Sequence, residues 1–248
     1  MKIGKRINHL VERVPAGYDH LWDCCCDHGL LGMTLLQNKI DAAMHFVDIV
    51  PALMTELEGK LRQRFPVAVG QSQSWRLHCI DVVDLPIAEV DSSDSARHLV
   101  IIAGVGGDLT AELLEAIHRR NPKANIEYLL CPANRPQHLR RALIKLDFYC
   151  LEEQLVEENK RFYEVLTITA QARQITSEAT PEQNPPVSLL GDKLWQPRTP
   201  EAQDIATRYR QRTLAHYQRM QRSGDLLAAE MVEGLERMAI QQTLDVKN

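Results

Sequence analysis

The chain has 248 residues, 44% of them hydrophobic, and a formal net charge of −4. These values predict a folded protein with a substantial core and argue against intrinsic disorder. No apolar run reaches the roughly 20 residues that span a bilayer, and no apolar export signal follows the charged N-terminus, so we expect a cytoplasmic protein with no membrane partner and reduced cysteines.

Apolar runs alternate with segments of helical periodicity over the first two thirds of the chain. The first helix is predicted over residues 1–14, where apolar side chains recur at spacings of three and four. Further helices are predicted over 29–37, 51–65, 108–120 and 136–146. Strands are predicted over 20–25, 42–48, 75–80, 98–103, 126–131, 149–156 and 161–170, and 86–95 is predicted to be a polar loop.

Five βα units followed by a β-hairpin predict an α/β fold. The expected sheet is doubly wound, seven-stranded and mostly parallel, with one antiparallel strand. This pattern is typical of the class I methyltransferase architecture, whereas a Rossmann dehydrogenase usually continues with a second βαβαβ half. We therefore predict a first domain over residues 1–170.

The rest of the chain differs in character. Residues 171–200 are rich in Pro, Gln, Thr and Glu, which predicts a linker that runs over the surface. Residues 201–248 are predicted to form a helical hairpin, with Ser223, Gly224 and the N-cap Asp225 at its turn. Two extra core helices on the sheet are the alternative. The apolar faces of the two helices comprise Ala206, Tyr209, Thr213, Tyr217 and Met220, then Leu227, Met231, Leu235 and Met238.

Carboxylates lie in or just after the first three predicted strands, at Asp23, Asp48 and Asp81. The carboxyl ends of parallel strands meet at one edge of a sheet, where such folds bind ligands. S-adenosyl-L-methionine offers an ammonium, a ribose diol and an adenine amino group, which are suitable partners for three acids. A dinucleotide is disfavoured, because Asp27 would repel its pyrophosphate. The residues assigned to the cofactor are Asp23, Cys25, Asp27, His28, Asp48, Ile49, Asp81, Val82, Gly104, Val105, Gly106 and Gly107.

The consecutive cysteines Cys24, Cys25 and Cys26 could suggest a metal site, with His28 as a fourth ligand. Adjacent residues of a strand point to opposite faces, so three in a row do not readily chelate one ion. We predict that no metal is bound and that these thiols fill the interior of a strand.

Several short motifs occur along the chain: Lys5-Arg6, the turn from Asp23 to His28, Asp48, Asp81, Ile102 to Gly107, Cys131-Pro132 and Phe162 to Leu166. In order and composition these motifs resemble those of the bacterial tRNA adenine-22 N1 methyltransferases. The resemblance implies a class I enzyme that uses S-adenosyl-L-methionine, carries a C-terminal helical extension and methylates N1 of an adenine in tRNA. Cys25 stands where that family has Gly, and Cys131-Pro132-Ala133-Asn134 stands where it has Gln-Pro-Asn. A methyltransferase of another RNA or of a small molecule, and an inactive RNA-binding relative, therefore remain alternatives.

Two further sets of residues follow from the expected chemistry. Asp27, His28, Asn134 and Tyr163 are candidate catalytic residues near the transferred methyl group, although His28 could simply shape a turn and Tyr163 could pack in the core. Clustered cations on the first helix, on the helix over 136–146 (with Arg140 and Arg141) and on the hairpin are typical of phosphate binding, and solvated charged faces are the alternative. We expect a monomer or a weak homodimer. The predicted RNA-binding residues are Lys5, Arg6, Arg135, Arg208, Arg212, Arg219 and Arg222.

Overall fold

The computed structural model describes residues 3–66, 74–91, 93, 95–171, 184–196, 199–222 and 224–245, with side chains up to residue 238 in the last helix. The helices are α1 (Lys5–Glu12), α2 (Leu30–Gln37), α3 (Pro51–Arg64), α4 (Ile87–Val90), α5 (Gly107–Arg120), α6 (Pro136–Lys145), α7 (Pro200–Gln221) and α8 (Leu226–Asp245). The strands are β1 (His20–Cys24), β2 (Ala43–Asp48), β3 (Trp75–Cys79), β4 (Arg97–Ala103), β5 (Asn125–Cys131), β6 (Tyr149–Glu158) and β7 (Arg161–Thr169).

The seven strands form one mixed sheet in the order β3-β2-β1-β4-β5-β7-β6. The first five run parallel, and β7 is antiparallel to both of its neighbours. This arrangement confirms the predicted seven-stranded, mostly parallel sheet. The central strands β1 and β4 are almost wholly buried, as expected for parallel strands covered on both faces.

Each face of the sheet has its own apolar cluster. Leu21 and its neighbours pack under α1, α2 and α3, while Trp22 belongs to the cluster under α5 and α6. Successive side chains of a strand point to opposite faces, so one strand contributes to both clusters. Helices therefore cover both faces, as the prediction of a doubly wound fold requires.

The predicted elements are present, with ends that differ by a few residues. The first helix begins at Lys5 instead of residue 1, and residues 1–2 lie outside the described part. The predicted polar loop over 86–95 is wrong in part, because α4 forms within it. Ile87 is 1% exposed, so burial of its side chain holds this short helix against the sheet.

Residues 171–200 are predicted to be a surface linker, and the structure describes 171, 184–196 and 199–200 of them; part of the range 184–196 packs against the rest of the chain. Val187 donates its backbone N–H to Phe148 at 2.9 Å, and Cys150 donates to Pro185 at 2.8 Å, so this segment pairs beside the start of β6. Leu194 and Trp195 are buried against α7 and α8. Polar residues and Pro dominate the composition of this segment, so composition alone does not reveal that its few apolar side chains are buried. Its other residues lie outside the described part.

Helices α7 and α8 form the predicted hairpin, and Asp225 accepts the expected N-cap hydrogen bond from Ala228 at 3.0 Å. Ser223 lies outside the described residues. The hairpin is attached through a buried polar network that also contains Arg140. Arg140 donates to Glu153 and Glu164, both at 2.7 Å, and Tyr209 of α7 donates to Glu164. The expectation that Arg140 is part of a basic surface is therefore wrong.

Among the described residues, no helix is long and apolar enough to cross a membrane.

Candidate functional site

The carboxylate of Asp48 ties the end of β2 to the turn after β1. Its Oδ2 accepts a hydrogen bond from the backbone N–H of Asp27 at 3.0 Å, and its Oδ1 accepts one from Val50 at 3.1 Å. A carboxylate oxygen can accept more than one hydrogen bond, so each oxygen retains a lone pair. Asp48 is thus held in place and can still accept hydrogen bonds from a ligand.

Asp23 lies deeper, within β1, and is 5% exposed. Its Oδ2 accepts a hydrogen bond from the backbone N–H of Gly32 at 2.9 Å, which attaches the first turn of α2. Burial raises the pKa of this carboxyl to about 7, and the charge of Asp48 adds to the rise. The site therefore holds a carboxyl that gains or loses its proton near neutrality.

The turn between β1 and α2 uses two residues with unusual backbone angles. Cys25 has φ +55° and Asp27 has φ +51°, both in the left-handed region that L residues seldom adopt. Burial, together with the charges of Asp48, Asp23 and Asp81, raises the pKa of the Cys25 thiol to about 11. The three predicted acids are thus close enough to act on the same thiol.

The remaining predicted residues of this region lie after the ends of β1, β2 and β3. Asp81 is exposed and accepts a hydrogen bond from the backbone N–H of Val83 at 3.1 Å, while Val82 beneath it is buried. Ile49 is 63% exposed, which is unusual for so apolar a side chain and leaves it available to a flat ring. Asp27 and His28 are both exposed, with Oδ1 and Nε2 3.6 Å apart. We call the region of Asp23, Cys25, Asp27, Asp48 and Asp81 the acidic crevice.

The segment after β4 has two roles, of which the sequence suggested one. Gly104 has φ +92°, and a Cβ there would have only Arg6 Nη2 nearby, at 3.9 Å, so its backbone borders open space. A Cβ on Gly107 would lie 2.3 Å from the carbonyl oxygen of Arg135, and one on Gly106 would lie 3.0 Å from Oδ1 of Asn134. Because Gly106 and Gly107 have no side chains, the loop after β5 can pack closely against them. At Gly107 the close approach of that backbone requires glycine, whereas at Gly106 the neighbouring atom belongs to a side chain that can move.

Two backbone hydrogen bonds join the same loops. Gly107 donates to the carbonyl of Asn134 at 3.0 Å, and Ala133 donates to that of Val105 at 2.7 Å. Asn134 is exposed and lies in the loop that follows β5, after Pro132 and Ala133. The structure thus places this candidate catalytic residue beside the carboxyl end of β4.

Tyr163, the remaining catalytic candidate, is half-buried and packs against the apolar cluster under α1, α2 and α3. The guanidinium carbon of Arg6 lies 4.8 Å from the centre of its ring. Tyr163 therefore packs against the core, which was the alternative to a catalytic role. Its ring also contacts the guanidinium of Arg6.

A cleft of about 780 Å³ lies between the loop after β5, the start of β7 and α7. Its lining includes the apolar or aromatic side chains of Phe162, Tyr217 and Met220. Cationic side chains, imidazoles and Asn134 also line it. We call this region the basic cleft. Its charged or titratable lining residues are Arg135, Arg161, Arg212, Arg219, His138 and His216.

The predicted RNA-binding residues separate into three groups. Arg135, Arg212 and Arg219 line the basic cleft. Arg208 instead makes a paired contact with Glu157 at 2.6 and 2.8 Å and a third hydrogen bond, to Asp204, at 2.9 Å. Arg208 therefore joins α7 to β6, and its assignment to RNA is not supported. The remaining three are absent from the cleft lining: Lys5 and Arg222 are exposed elsewhere, and Arg6 lies at Tyr163.

Sequence reasoning missed Arg161, His138 and His216 as cleft residues. Arg161 opens β7 next to a tight turn, a position at which a charged residue is unremarkable. His216 lies one turn from Arg212 and Arg219 on α7, and that spacing was the only signal available. Within the described residues, no group of three or more His, Cys, Asp or Glu is arranged to hold a metal ion.

Comparison with known proteins places this geometry in a family. The sequence profile of the methyltransferase domain matches residues 3–166. A sequence comparison with curated proteins gives no match.

Several solved structures share the fold along nearly the whole chain. The m1A22 tRNA methyltransferase TrmK of B. subtilis is 22% identical, with a TM-score of 0.61 over 98% of both chains. TrmK of M. capricolum, in complex with S-adenosyl-homocysteine, is 14% identical, with a TM-score of 0.63 over 99% of both chains. Sp1610 of Streptococcus pneumoniae, in complex with S-adenosyl-L-methionine, is 20% identical, with a TM-score of 0.63 over 95% of this chain and 99% of that one. The TM-scores and the coverage show a common fold over nearly the whole chain. Because the profile match covers well over half of the sequence, the chain belongs to the methyltransferase domain family.

Proposed function

We propose that this protein transfers the methyl group of S-adenosyl-L-methionine to N1 of an adenine in cytoplasmic tRNA. Position 22 is inferred from the motif resemblance and from the likeness to TrmK, described as an m1A22 tRNA methyltransferase. One observation carries the proposal: β4, which leads into Gly104 to Gly107, lies next to β1 of the acidic crevice, and Gly107 donates a backbone hydrogen bond to Asn134, which lines the basic cleft. A cofactor site and a nucleic-acid site are thereby adjacent.

The acidic crevice has the chemistry that S-adenosyl-L-methionine requires. Asp48 has spare lone pairs for the ribose hydroxyls. Asp81 can accept a hydrogen bond from the adenine amino group, beside the exposed side chain of Ile49. Asp23 can attract the ammonium when it is ionised. The open backbone at Gly104 leaves room for the methionine portion. We assign residues 1–170 to this methyltransferase domain.

The protein's own contribution to the reaction is chiefly orientation. The bound cofactor supplies an electrophilic methyl group on a sulfonium. Adenine N1 carries a lone pair, so the attack itself needs no general base, and holding the ring in line while excluding water can supply much of the acceleration. We assign this positioning to Asn134, which lies between the two regions. Asp27 and His28 are exposed at the rim, where a carboxylate can stabilise the cationic methylated base.

The basic cleft suits a strand of RNA whose bases are unstacked. Arginines at its border can bind phosphates, and Phe162 and Tyr217 offer surfaces on which bases can stack. A paired target base would have to leave its helix before N1 could be reached. We therefore propose that the hairpin of residues 201–248 contributes to RNA binding, mainly through the face of α7 that carries Arg212 and Arg219.

The test is methylation of a defined substrate. Purified protein is incubated with labelled S-adenosyl-L-methionine and a tRNA transcript that has adenine at position 22, and the modified nucleoside is mapped by nuclease digestion and mass spectrometry. The proposal predicts 1-methyladenosine at that position and no label in a matched transcript with guanine there. Label at another nucleotide would overturn the assignment of position 22. No label at stoichiometric enzyme would overturn the enzymatic proposal.

A further inference from the structure

Gln137 is the second residue of α6, and what we infer for it rests on the proposed function. Its side chain is buried, with 5% exposure, and is part of the lining of the basic cleft. Its Nε2 donates hydrogen bonds to the hydroxyl of Tyr209 at 3.2 Å and to Oε1 of Glu164 at 3.3 Å, and its Oε1 accepts one from Tyr217 at 3.0 Å. The amide is therefore fully hydrogen-bonded, and two of its three partners belong to α7.

The short stretch that contains Gln137 is also attached on its other side, to the segment after β4. Gly107 donates its backbone N–H to the carbonyl of Asn134 at 3.0 Å. Asn134 is only three residues before Gln137 in the chain. One attachment thus joins this stretch to the loop that borders the acidic crevice, and the other joins it to the helix that carries cations of the basic cleft.

The residue between the two attachments has a conformation that needs support. Arg135 has φ +52°, in the left-handed region that L residues seldom adopt, and its carbonyl accepts from the backbone N–H of His138 at 3.1 Å as α6 begins. A strained backbone conformation persists only where the surrounding contacts determine it. Loss of the attachment through Gln137 would let this turn relax, and Asn134 would move with it.

We propose that Gln137 is a positioning residue for methyl transfer, because it fixes Asn134 relative to the face of α7 that binds RNA. Arg212 and Arg219 on that face hold the phosphates, whereas Asn134 orients the adenine, so the separation of these contacts sets where N1 lies. A misplacement of about 1 Å can lower the rate of such a reaction about 100-fold. Gln137 therefore acts on the rate through geometry, without contact with the reacting atoms.

The test separates the rate of methylation from binding. Methylation of the tRNA transcript with adenine at position 22 is followed in a single turnover, with tRNA and S-adenosyl-L-methionine saturating for each variant. Gln137→Met keeps the length of the side chain but makes no hydrogen bonds, and Tyr217→Phe keeps the ring but removes one of them. Filter binding measures affinity for tRNA, calorimetric titration measures affinity for S-adenosyl-L-methionine, and thermal melting checks folding.

Gln218→Met is the matched control, because Gln218 also joins two helices through its amide. It is exposed on α7 and donates to Glu236 of α8 at 3.2 Å. This hydrogen bond lies within the hairpin, and the basic cleft is lined by other residues of α7. The control thus removes a glutamine contact of the hairpin and leaves the attachment of Asn134 intact.

We expect Gln137→Met to lower the single-turnover rate constant about 10- to 30-fold, with affinity for tRNA within about threefold and for S-adenosyl-L-methionine within about twofold of wild type. Tyr217→Phe should lower the rate constant about threefold, because the other two hydrogen bonds of Gln137 remain. The double variant should be no slower than Gln137→Met, since Tyr217 acts on the rate through Gln137. Gln218→Met should match the wild type in rate and binding.

Other outcomes overturn the inference in distinguishable ways. A lower melting temperature of Gln137→Met with an unchanged rate constant would mean that Gln137 only supports the fold. Weaker tRNA binding with an unchanged rate constant at saturation would make it a binding residue. If Gln137→Met is unfolded at the assay temperature, Tyr217→Phe decides between the same outcomes. If the wild-type protein methylates no tRNA, the proposed function fails and this inference with it.

Discussion

The acidic crevice and the basic cleft are neighbours with opposite charge and different construction. In the acidic crevice, each acid lies in or just after one of β1, β2 and β3, and local backbone hydrogen bonds fix it. In the basic cleft, the lining comes from the loop after β5, the start of β7 and α7, which are separated by tens of residues. A site built from strand ends can be recognised from the sequence, whereas a site built between packed elements depends on how those elements dock.

The first way to separate the two regions is by pH, because the acidic crevice contains a titrating group and the basic cleft is dominated by arginine. The pKa of Asp23 is raised from 3.8 to about 7 in the folded protein. The folded state therefore binds a proton that the unfolded state has released, and the resulting stability is lost as the pH rises through 7. Asp23→Asn cannot ionise and can still accept from Gly32.

We therefore expect the stability of Asp23→Asn relative to wild type to grow between pH 5 and pH 8, by roughly 3 kcal/mol from the size of the pKa difference. Urea unfolding at both pH values measures this. The wild type should also bind S-adenosyl-L-methionine less tightly below pH 7, where Asp23 is neutral. A stability difference that does not change with pH would show that Asp23 remains ionised across the range.

The second prediction removes the carboxylate that joins the two loops of the acidic crevice. Asp48→Asn keeps the shape but can accept only one of the hydrogen bonds from Asp27 and Val50, and it offers a weaker acceptor to the ribose. We expect affinity for S-adenosyl-L-methionine to fall about 30-fold, or about 2 kcal/mol. Calorimetric titration measures it.

Asp84→Asn is the control for that experiment, because Asp84 is an exposed acid close in sequence to Asp81 that pairs with Arg120. Its affinity for S-adenosyl-L-methionine should stay near that of wild type. An equal loss in both variants would mean that the overall negative charge, and not the position of Asp48, attracts the cofactor.

The basic cleft calls for a different test, which also separates the arginines that the sequence grouped together. Arg212→Gln with Arg219→Gln should weaken tRNA binding about tenfold and lower the slope of log K against log salt by about 1.5, since each lost phosphate contact removes roughly 0.7–0.9. Affinity for S-adenosyl-L-methionine should not change. Filter binding of tRNA at several salt concentrations measures the slope.

Arg208→Gln is the matched control on the same helix. Arg208 is held by Glu157 and Asp204, so we expect its loss to leave the salt slope unchanged. If Arg208→Gln lowered the slope as much as the double variant, RNA would be bound along the whole predicted stripe and the basic cleft would have no special role.

The same contrast explains how much could be predicted from the sequence. Alternating apolar runs located the seven strands, and the position of Asp48 at the end of a strand placed it in the site, because both depend on local spacing. Spacing alone could not distinguish two arginines of α7. Arg208 forms an ion pair with Glu157 of β6, whereas Arg212 lines the basic cleft. Residue spacing also could not reveal that the loop of Asn134 packs closely against Gly106 and Gly107, because these two loops are well separated in the chain.

Cys25 gives the smallest and most local prediction, and it concerns the residue that stands where the resembling family has glycine. Its φ of +55° costs an L residue about 1–2 kcal/mol. Glycine would remove that cost but would lose about 0.5–1 kcal/mol through the greater freedom of the unfolded chain. The side chain of Cys25 packs with the apolar cluster that contains Cys24 and Val47, and that packing would also be lost.

We therefore expect Cys25→Gly to change the free energy of unfolding by less than about 1 kcal/mol. Because the thiol is partly buried against that cluster, affinity for S-adenosyl-L-methionine should change by no more than about twofold, well under the roughly 1.4 kcal/mol of a tenfold effect. Urea unfolding and calorimetric titration measure the two quantities, and Cys79→Ala, at an exposed cysteine that ends β3, is the control. A tenfold gain in affinity for Cys25→Gly alone would show that the thiol obstructs the acidic crevice. In that case the thiol would sterically oppose the cofactor that the surrounding acids attract. The two regions would then differ in how easily a ligand enters them as well as in charge.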